Sequence, residues 1–409
     1  MINVEEIRRD FPMLSNTMQG KPLIYLDNAA TTFKPKCVID AVTSYYTTFN
    51  ANCHRGDYDL SHDVDVAYEA VRGKVGKFIN CLDKEVVFTS GASASLNIVA
   101  NGVGQWLKQG DEILLNEAEH ASNILPWFMV AQATGAIIKY IPLNKEGRLT
   151  VENLKNTITE KTKVVSLAHV TNVLAYTIDI KEICKVAHEY GALVVVDGAQ
   201  SIAHMKVDVK DLDCDFYCFS AHKMLGPTGV GVLYGKYDLL EKMNPLMMGG
   251  GMNSRFYSCG SYSLHHAPSK FEAGTPNIEG VIGFGAAIDY LSKIGMENIH
   301  EYEHNLKQYA ISKLKEIPNI VIYNETNESG VITFNNKNVF AQDLATHFNS
   351  YGIAVRAGQH CAKILMNFLG TVATVRASIS FYNTKEEIDK FIEVCKKGDE
   401  YLDAFFKWS

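Results

Sequence analysis

The strongest evidence for the fold is Ala192-Leu193-Val194-Val195-Val196-Asp197-Gly198-Ala199-Gln200, where an apolar run ends at a carboxylate. A second apolar run, Cys214 to Phe219, ends at Ser220-Ala221-His222-Lys223. Short runs of this kind are typical of strands that are buried on both faces of a parallel sheet. Since parallel strands bring their carboxyl ends to one edge of the sheet, we expect Asp197 and Lys223 to lie close together there.

Short apolar runs alternate with amphipathic stretches between residues 85 and 235, which is the pattern of a sheet built from βα units. The strands that this pattern predicts are Val86–Thr89, Glu112–Leu115, Ala136–Ile141, Lys163–Ala168, Leu193–Val196, Asp215–Phe219 and Val230–Tyr234. The predicted helices include Ala92–Leu107, Ala121–Ala133 and Ile180–Glu189, the last of them ended by Gly191. We therefore predict an α/β fold with a seven-stranded, mostly parallel sheet.

The C-terminal part of the chain has a different pattern. Its predicted elements are longer helices at Ile282–Ile294 and Ile299–Ile317, strands at Ile320–Tyr323 and Val331–Phe334, and a last helix near Lys385–Phe406. We predict a large domain over residues 21–285 and a smaller α+β domain formed by residues 1–20 and 286–409. The glycine-rich Met248–Met252 and the polar Asn253–Ser269 should form an irregular excursion of the large domain.

Composition excludes several classes of partner. The 409 residues are 47% hydrophobic and 21% charged, with a formal net charge of -7, so the chain has no electrostatic attraction to nucleic acid. The segment from Met1 to Phe11 lacks the apolar core of a signal peptide, and no run approaches the roughly 18 apolar residues of a membrane span. We expect a cytoplasmic protein with neither a nucleic acid nor a membrane as partner.

The cysteines indicate a reducing compartment. There are nine, an odd number, and their spacings match neither a zinc site nor a disulfide framework. Most should be buried, reduced thiols, and no metal is expected. Cys214 and Cys218 bracket one predicted strand, which would place both on the same face of the sheet, in the core.

Asp197 and Lys223 together indicate pyridoxal 5'-phosphate (PLP) as a cofactor. A lysine amine forms a Schiff base with the aldehyde, and a carboxylate opposite the pyridinium nitrogen keeps the ring protonated and able to accept a carbanion's electrons. Taken singly, Lys223 would be an ordinary surface lysine and Asp197 an ordinary helix cap. Their convergence at one sheet edge favours a cofactor site.

The cofactor phosphate has a candidate site at Thr89-Ser90-Gly91-Ala92-Ser93, where a predicted strand gives way to a helix. Free backbone amides at a helix start attract a phosphate, and Ser93 adds a hydroxyl. Helix capping alone also explains this segment. Ser220 and His222, beside the candidate lysine, could supply further donors.

Three polar residues that follow strand ends are candidates for contacts with the ring. His120 could lie over the pyridine plane, although an isolated histidine there is more often a capping or packing residue. Gln200 and Asn172 could each reach the phenolic oxygen of PLP. Each assignment depends on the convergence of several strand ends.

The chain resembles the SUF-type cysteine desulfurases, fold-type I PLP enzymes of the class V aminotransferase group. The resemblance covers nearly the whole chain and is carried by Tyr25–Ala30, His54–Gly56, Asp197–Gln200, Ser220–Lys223, Phe271–Asn277, Arg356–Ala362 and Val375–Ser378. It implies that Lys223 binds PLP covalently, and that Asp197 contacts the pyridinium nitrogen, Gln200 the phenolic oxygen and His120 the ring face. It also implies that Ala92, Ser93, Ser220 and His222 hold the phosphate, in a homodimer where Thr275 of one subunit reaches the phosphate bound by the other.

Cys361 limits the set of reactions that a PLP enzyme with this sequence is expected to catalyse. It lies in sequence between Arg356 and Arg376 and beside His360, so its surroundings are positive and favour a thiolate. A buried, inert thiol is otherwise the usual role of a free cysteine. The resemblance implies that Cys361 takes the sulfur of L-cysteine as a persulfide, with release of L-alanine.

Arginines are the candidates for binding the substrate. Arg376 is the first choice, because a guanidinium binds a carboxylate bidentately, although a surface salt bridge is its simplest role. Arg356 and Asn172 should assist it. His54 and Arg55 should line the entrance from the neighbouring subunit.

The expected function is that of a cysteine desulfurase which passes sulfur to an acceptor protein of iron–sulfur cluster assembly or of a thiolation pathway. The chain departs from the family pattern at Ala94, Ala175, Gln359 and Lys363. One alternative is a selenocysteine lyase acting on L-selenocysteine, or another class V PLP lyase or aminotransferase, in which Cys361 is accessory. Another is a non-catalytic assembly protein, which would have no need to retain Lys223, Asp197, Cys361 and Arg376 together.

Overall fold

The computed structural model describes residues 2–54 and 56–400. The strands, in chain order, are β1 (Thr17–Met18), β2 (Lys21–Pro22), β3 (Ile24–Tyr25), β4 (Val86–Thr89), β5 (Glu112–Asn116), β6 (Ile137–Ile141), β7 (Thr162–Ala168), β8 (Leu193–Asp197), β9 (Phe216–Ser220), β10 (Gly231–Gly235), β11 (Asn253–Phe256), β12 (Tyr262–Leu264), β13 (Ile320–Ile322), β14 (Val331–Asn336), β15 (Ile353–Ala354), β16 (Arg356–Gly358) and β17 (Thr374–Ser378). The α-helices are α1 (Val4–Arg8), α2 (Lys36–Thr48), α3 (Asp59–Ile79), α4 (Ala92–Gly104), α5 (Leu125–Thr134), α6 (Val151–Lys155), α7 (Ile180–Glu189), α8 (Val209–Leu212), α9 (Tyr237–Lys242), α10 (Ile278–Ile294), α11 (Met296–Leu314), α12 (Ala341–Ser350), α13 (Lys363–Leu369) and α14 (Lys385–Lys396).

The central sheet has seven strands in the order β4-β10-β9-β8-β7-β5-β6. Strand β10 runs antiparallel to both of its neighbours, and the other pairings are parallel. The predicted α/β fold with a seven-stranded, mostly parallel sheet is confirmed. Asp197 at the end of β8 pairs with Ala168 of β7 and with Cys218 of β9, so these strands end at the same edge.

Alternate residues of the central strands enter two separate hydrophobic cores. Val194 and Val196 of β8 belong to the core shared with α3, α7 and α10, whereas Val195 belongs to the core shared with α4 and α5. All three valines are fully buried. The sheet is therefore covered by helices on both faces, which explains why its strands are apolar throughout.

Local sequence accounts for the ends of the predicted helices. Helix α7 matches its predicted range, begins with Asp179 accepting from the Glu182 amide, and is followed by Gly191 at a φ of 70°. The helix predicted at Ala121–Ala133 is instead a 3₁₀ turn, Ala121–Asn123, followed by α5. Pro126 lies in the first turn of α5, where its missing N–H costs no hydrogen bond.

A second sheet lies in the C-terminal part, with strands in the order β13-β14-β17-β16, all antiparallel. Helices α11, α12 and α14 pack on it around a core that includes Ile332, Phe348 and Phe391. Residues Ile24 and Tyr25 pair with β15, and Leu26 enters the same core. The predicted division into domains at residues 21 and 285 stays a prediction.

Two smaller expectations are wrong, and a third is described only in part. Cys214 and Cys218 were expected on the same face of the sheet, but Cys214 precedes β9 and lies in a different core from Cys218, because the alternation of the strand begins only at Phe216. Both thiols are buried and free, as expected. The segment Asn253–Ser269 contains a hairpin, β11 and β12, instead of irregular chain throughout. Helix α14 ends at Lys396, and the predicted continuation beyond residue 400 lies outside the described residues.

In the part of the chain that the structure describes, no helix is both long and apolar enough to span a lipid bilayer.

Candidate active site

A cavity of about 340 Å³ opens at the carboxyl edge of the central sheet. The predicted site residues that line it are Ala92, Ser93, His120, Asn172, Asp197, Gln200, Ser220, His222, Lys223, Arg356, Cys361 and Arg376. They come from the start of α4, from the ends of β5, β7, β8 and β9, and from β16, β17 and the loop between β16 and α13. Residues far apart along the chain therefore share one cavity.

Lys223 is positioned by a 3₁₀ turn, Ala221–Lys223, directly after β9. Burial lowers the pKa of its amine to about 8, with Asp197 acting in the opposite direction and Arg376 adding to the decrease. The carbonyl of His222 accepts from the Thr32 amide at 3.1 Å and from the Lys34 ammonium at 3.0 Å. The backbone that carries Lys223 is therefore anchored to the N-terminal segment.

Asp197 is buried, and its Oδ1 accepts the Ala199 amide at 3.0 Å. Gln200, also buried, donates from Nε2 to the Ala29 carbonyl at 2.9 Å. In the neighbouring strand β9, the buried hydroxyl of Tyr217 lies 2.9 Å from His169 Nδ1 and 2.6 Å from Ser201 Oγ. The buried polar groups around the end of β8 are thus hydrogen-bonded, as groups in a low-dielectric interior should be.

The start of α4 forms the wall where the phosphate was predicted to bind. Gly91 precedes the helix at φ 153° and ψ 173°, a conformation that a residue with a Cβ rarely adopts. Ser220 Oγ accepts the Ala92 amide at 2.7 Å, and Ser93 Oγ lies 2.6 Å from Ser122 Oγ. Burial and the charges of Lys223 and Lys34 lower the pKa of His222 to about 4, so its ring is neutral at pH 7.

His120 follows β5, and its Nδ1 accepts the Ser122 amide at 3.1 Å. Burial and the charge of Lys223 hold the pKa of His120 below its usual value, so the ring is neutral with its proton on Nε2. Glu119, which sequence reasoning missed, is fully buried behind it and accepts from Asn116 at 2.7 Å and from the Ala168 amide at 2.9 Å. Burial raises the pKa of Glu119 to about 8. The sequence signal was the pair Asn116 and Glu119 at the end of a buried strand.

Cys361 lies exposed in a tight loop after β16. His360 and Cys361 have φ values of 52° and 56°, so two successive residues other than glycine adopt the left-handed conformation. The loop is held by Asn172 Nδ2, which donates to the His360 carbonyl at 2.6 Å, and by the Ala121 amide, which donates to the Cys361 carbonyl at 2.8 Å. A strained loop that is fixed at both carbonyls presents the thiol to the cavity.

Arg376 is buried beside this loop, and its Nη1 donates to the Asn172 carbonyl at 2.8 Å. Its Nη2 lies 3.7 Å from Asp27 Oδ1, while Arg356 donates to both oxygens of Asp27 at 3.1 and 2.8 Å. Burial lowers the pKa of Arg376 to about 10, which keeps the guanidinium charged at pH 7. No role was predicted for Asp27. The signal was present, because Asp27 follows the apolar pair Tyr25-Leu26 in the same way that Asp197 follows the apolar residues of β8.

Three buried polar atoms of residues that line this cavity have no hydrogen-bond partner among the described residues: Arg376 Nε, Asn172 Oδ1 and His360 Nδ1. A buried polar atom without a partner costs about 1–3 kcal/mol, so the three together indicate a site shaped for a ligand. The donor set also fits PLP, because it combines an amine, a nearby carboxylate, a neutral imidazole and the free end of a helix.

Two further predicted site residues, Thr275 and His54, do not line this cavity. Thr275 is exposed and, with His54, borders a second cavity of about 800 Å³. Arg55 lies outside the described residues. Their predicted approach to a neighbouring subunit's site therefore stays a prediction.

The chain matches the aminotransferase class-V family over residues 24–391. It is 47% identical over 407 residues to a probable cysteine desulfurase of Halalkalibacterium halodurans, in an alignment that covers 99% of this chain and 100% of the relative. It is 44% identical over 392 residues to a cysteine desulfurase of Escherichia coli, with 95% of this chain and 97% of the relative covered. Among solved structures, the cysteine desulfurase CsdA of Escherichia coli superposes with a TM-score of 0.91 at 38% identity, covering 98% of this chain and 99% of that one. The cysteine desulfurase of Thermococcus onnurineus gives 0.93 at 38% identity, with 97% and 98% covered.

Proposed function

The chain belongs to the class-V aminotransferase family, and from this premise we propose that it is a PLP-dependent cysteine desulfurase that converts L-cysteine to L-alanine and retains the sulfur on Cys361. The observation that carries the proposal is the position of Cys361 on the same cavity as Lys223 and Arg376. Cys361 is also among the groups that raise the pKa values of Lys223 and Arg376, which supports a position of the thiol near both.

We assign the cofactor contacts by the groups that each residue offers. Lys223 would hold PLP covalently, Asp197 would face the ring nitrogen, and His120 would lie on the ring. Ala92, Ser93, Ser220 and His222 would hold the phosphate, where neutral donors and a helix start surround the cavity. When bound, PLP supplies the electron sink that allows the bonds at Cα and Cβ of an amino acid to be broken.

The substrate would be oriented by its carboxylate. The Nε and Nη2 atoms of Arg376 form one edge of the guanidinium. Nε has no hydrogen-bond partner among the described residues, and Nη2 lies 3.7 Å from Asp27 Oδ1, which is longer than a hydrogen bond. This edge matches a carboxylate bidentately, while Asn172 Oδ1 accepts a neighbouring donor. With the substrate fixed there, the neutral amine of Lys223 can take the Cα proton, because its pKa of about 8 makes it a base near neutral pH.

Sulfur transfer follows from the position of Cys361. Its thiolate attacks the sulfur of the substrate, so that an S–S bond forms while the Cβ–S bond breaks. The electron pair of the broken bond stays with the carbon fragment, which takes up protons and leaves as L-alanine. Lys223, protonated in the earlier step, is placed to return one of these protons.

We further propose that the protein acts as a homodimer in the cytoplasm and passes its persulfide sulfur to an acceptor protein of iron–sulfur assembly or thiolation. The exposure of Cys361 supports transfer to a second protein, because an acceptor thiol must reach the sulfur directly. The exposed position of Thr275 supports a role across a subunit interface.

The test is to compare Cys361→Ser with Cys259→Ser, a change at another exposed cysteine that does not line the cavity of this chain. The first variant should lose L-alanine formation from L-cysteine while it keeps the visible absorbance of bound PLP, and the second should behave as the parent protein. If Cys361→Ser forms alanine at the parent rate, the persulfide route is wrong and a lyase with an accessory Cys361 replaces it.

A further inference from the structure

A cluster of three side chains outside the active cavity has the composition of a metal site. Sγ of Cys53, an imidazole nitrogen of His54 and a carboxylate oxygen of Asp65 all lie within 4.8 Å of one another. We call these three residues the Cys53 cluster. It borders the second cavity, which Cys53 and His54 line together with Glu69, Arg72 and Thr275. None of these three ligand atoms has a role in the proposed desulfurase reaction at the active cavity of the same chain.

The local fold holds the cluster together. His54 has a φ of 64°, and this left-handed turn directs its backbone amide to Asp65 Oδ1 at 2.5 Å. Asp65 lies on α3, and the ring of His54 lies 3.6 Å from its carboxylate. Cys53 is buried and electrostatically coupled to Asp65. One backbone hydrogen bond therefore fixes the two neighbouring ligands of the loop against the helix.

The surrounding charges leave Asp65 available to a cation. Arg72 is buried and binds Glu69 through two contacts of 2.8 and 3.1 Å and Glu272 through two of 2.7 and 3.0 Å. The guanidinium is thus taken up by two glutamates, and Asp65 has no contact with it. A thiol next to three carboxylates lies in a negative field that a divalent cation would neutralise.

A separate observation also indicates a missing ligand. Tyr68 is fully buried, yet its hydroxyl has no hydrogen-bond partner among the described residues. Its ring packs edge-on against that of His54 with centroids 5.7 Å apart, and the hydroxyl is electrostatically coupled to Cys53. A buried hydroxyl without a partner is rare, and a metal-bound water would satisfy it.

We propose that Cys53, His54 and Asp65 form a site for a divalent cation of the Zn²⁺ type, with water in the fourth position. Thiolate, imidazole and carboxylate are the ligands that Zn²⁺ prefers, and three protein ligands plus water give its usual tetrahedral set. Binding replaces the thiol proton of Cys53, which is released to solvent. The spacing of the cysteines predicted no metal, because two ligands are adjacent in a loop and the third comes from a helix.

The test is metal binding by the tag-free holoenzyme after treatment with EDTA and dialysis. All proteins carry Cys361→Ala, so that the active-site thiol cannot be the ligand. Equilibrium dialysis with Zn²⁺ should give one ion per chain in this parent. Loading with Co²⁺ should produce thiolate-to-metal absorption, together with ligand-field bands at wavelengths beyond the absorbance of PLP.

Cys53→Ala and Asp65→Asn should each weaken Zn²⁺ binding at least tenfold and remove the Co²⁺ bands, whereas Cys259→Ala should change neither. Asp65 is partly exposed, so its variant keeps the test valid if Cys53→Ala fails to fold. Binding that is equal in the parent and in Asp65→Asn would overturn the proposal, as would a parent that binds no stoichiometric Zn²⁺. Since no turnover is measured, failure of the desulfurase proposal would leave this result unaffected.

Discussion

Replacing Arg376 with alanine should remove the main contact with the substrate carboxylate. Arg376 lines the cavity and is 3% exposed; its Nε has no hydrogen-bond partner among the described residues, and its Nη2 lies 3.7 Å from Asp27 Oδ1. Each hydrogen bond to a charged group contributes about 1.5–3 kcal/mol, so losing a bidentate pair should cost about 3 kcal/mol. That cost corresponds to a fall of roughly 150-fold in kcat/KM for L-cysteine.

The assay is L-alanine formation from L-cysteine and from L-cysteine methyl ester, which keeps the amine and the thiol but has no carboxylate. The parent protein should prefer L-cysteine strongly, and Arg376→Ala should lose most of that preference by losing activity on L-cysteine alone. Arg356→Ala is the matched control, because Arg356 is 47% exposed and held by Asp27, and its loss should be about tenfold or less. If Arg376→Ala retains its PLP and still discriminates against the ester as the parent does, the assignment of Arg376 is refuted.

Three further expectations concern the cofactor and the fold. Covalent uptake of PLP by the apoprotein should accelerate as the pH rises through about 8, because only neutral Lys223 attacks the aldehyde. The rate is measured from the visible absorbance between pH 6 and pH 10. A rate that does not change over this range would contradict the prediction, since it would mean that the amine is already neutral at pH 6. Lys34→Met should weaken PLP binding about tenfold, because it removes a cation that donates to the His222 carbonyl; an unchanged Kd in equilibrium dialysis would contradict this role. Arg72→Ala should lower the free energy of unfolding by about 3–5 kcal/mol, because two glutamates lose their buried partner. Urea denaturation measures this loss, and a loss no larger than that of the control variant Arg148→Ala would disprove the prediction.

The sheet and most of the cavity could be predicted because their physical causes are local. A strand such as Leu193–Asp197 is apolar on both faces, and its carboxyl end must lie at the ligand edge of a parallel sheet. The same reasoning located Lys223 after β9 and Asn172 after β7. Knowledge of the strand ends was therefore enough to bring a lysine, a carboxylate and an amide into one cavity.

Features that depend on packing between distant segments were missed. Asp27 follows a strand of only two residues, too short to give a pattern, yet it links Arg356 to Arg376. The left-handed conformations of His360 and Cys361 could not be predicted, because only a few per cent of residues other than glycine adopt a positive φ, and here the contacts of the loop impose it on two in succession. Ala175 shows the opposite case: the resemblance to the desulfurases implies a glycine at this position, and the φ of Ala175 is 57°, a value that glycine adopts readily.

The proposed persulfide mechanism requires that the sulfur of the substrate resides on Cys361 after one reaction with L-cysteine. The purified, PLP-loaded protein should be mixed with L-cysteine, without an acceptor or a reductant, and then digested and analysed by mass spectrometry. The peptide that carries Cys361 should gain the mass of one sulfur atom, and the addition should disappear on reduction. An unmodified Cys361 peptide alongside formation of L-alanine would contradict the account.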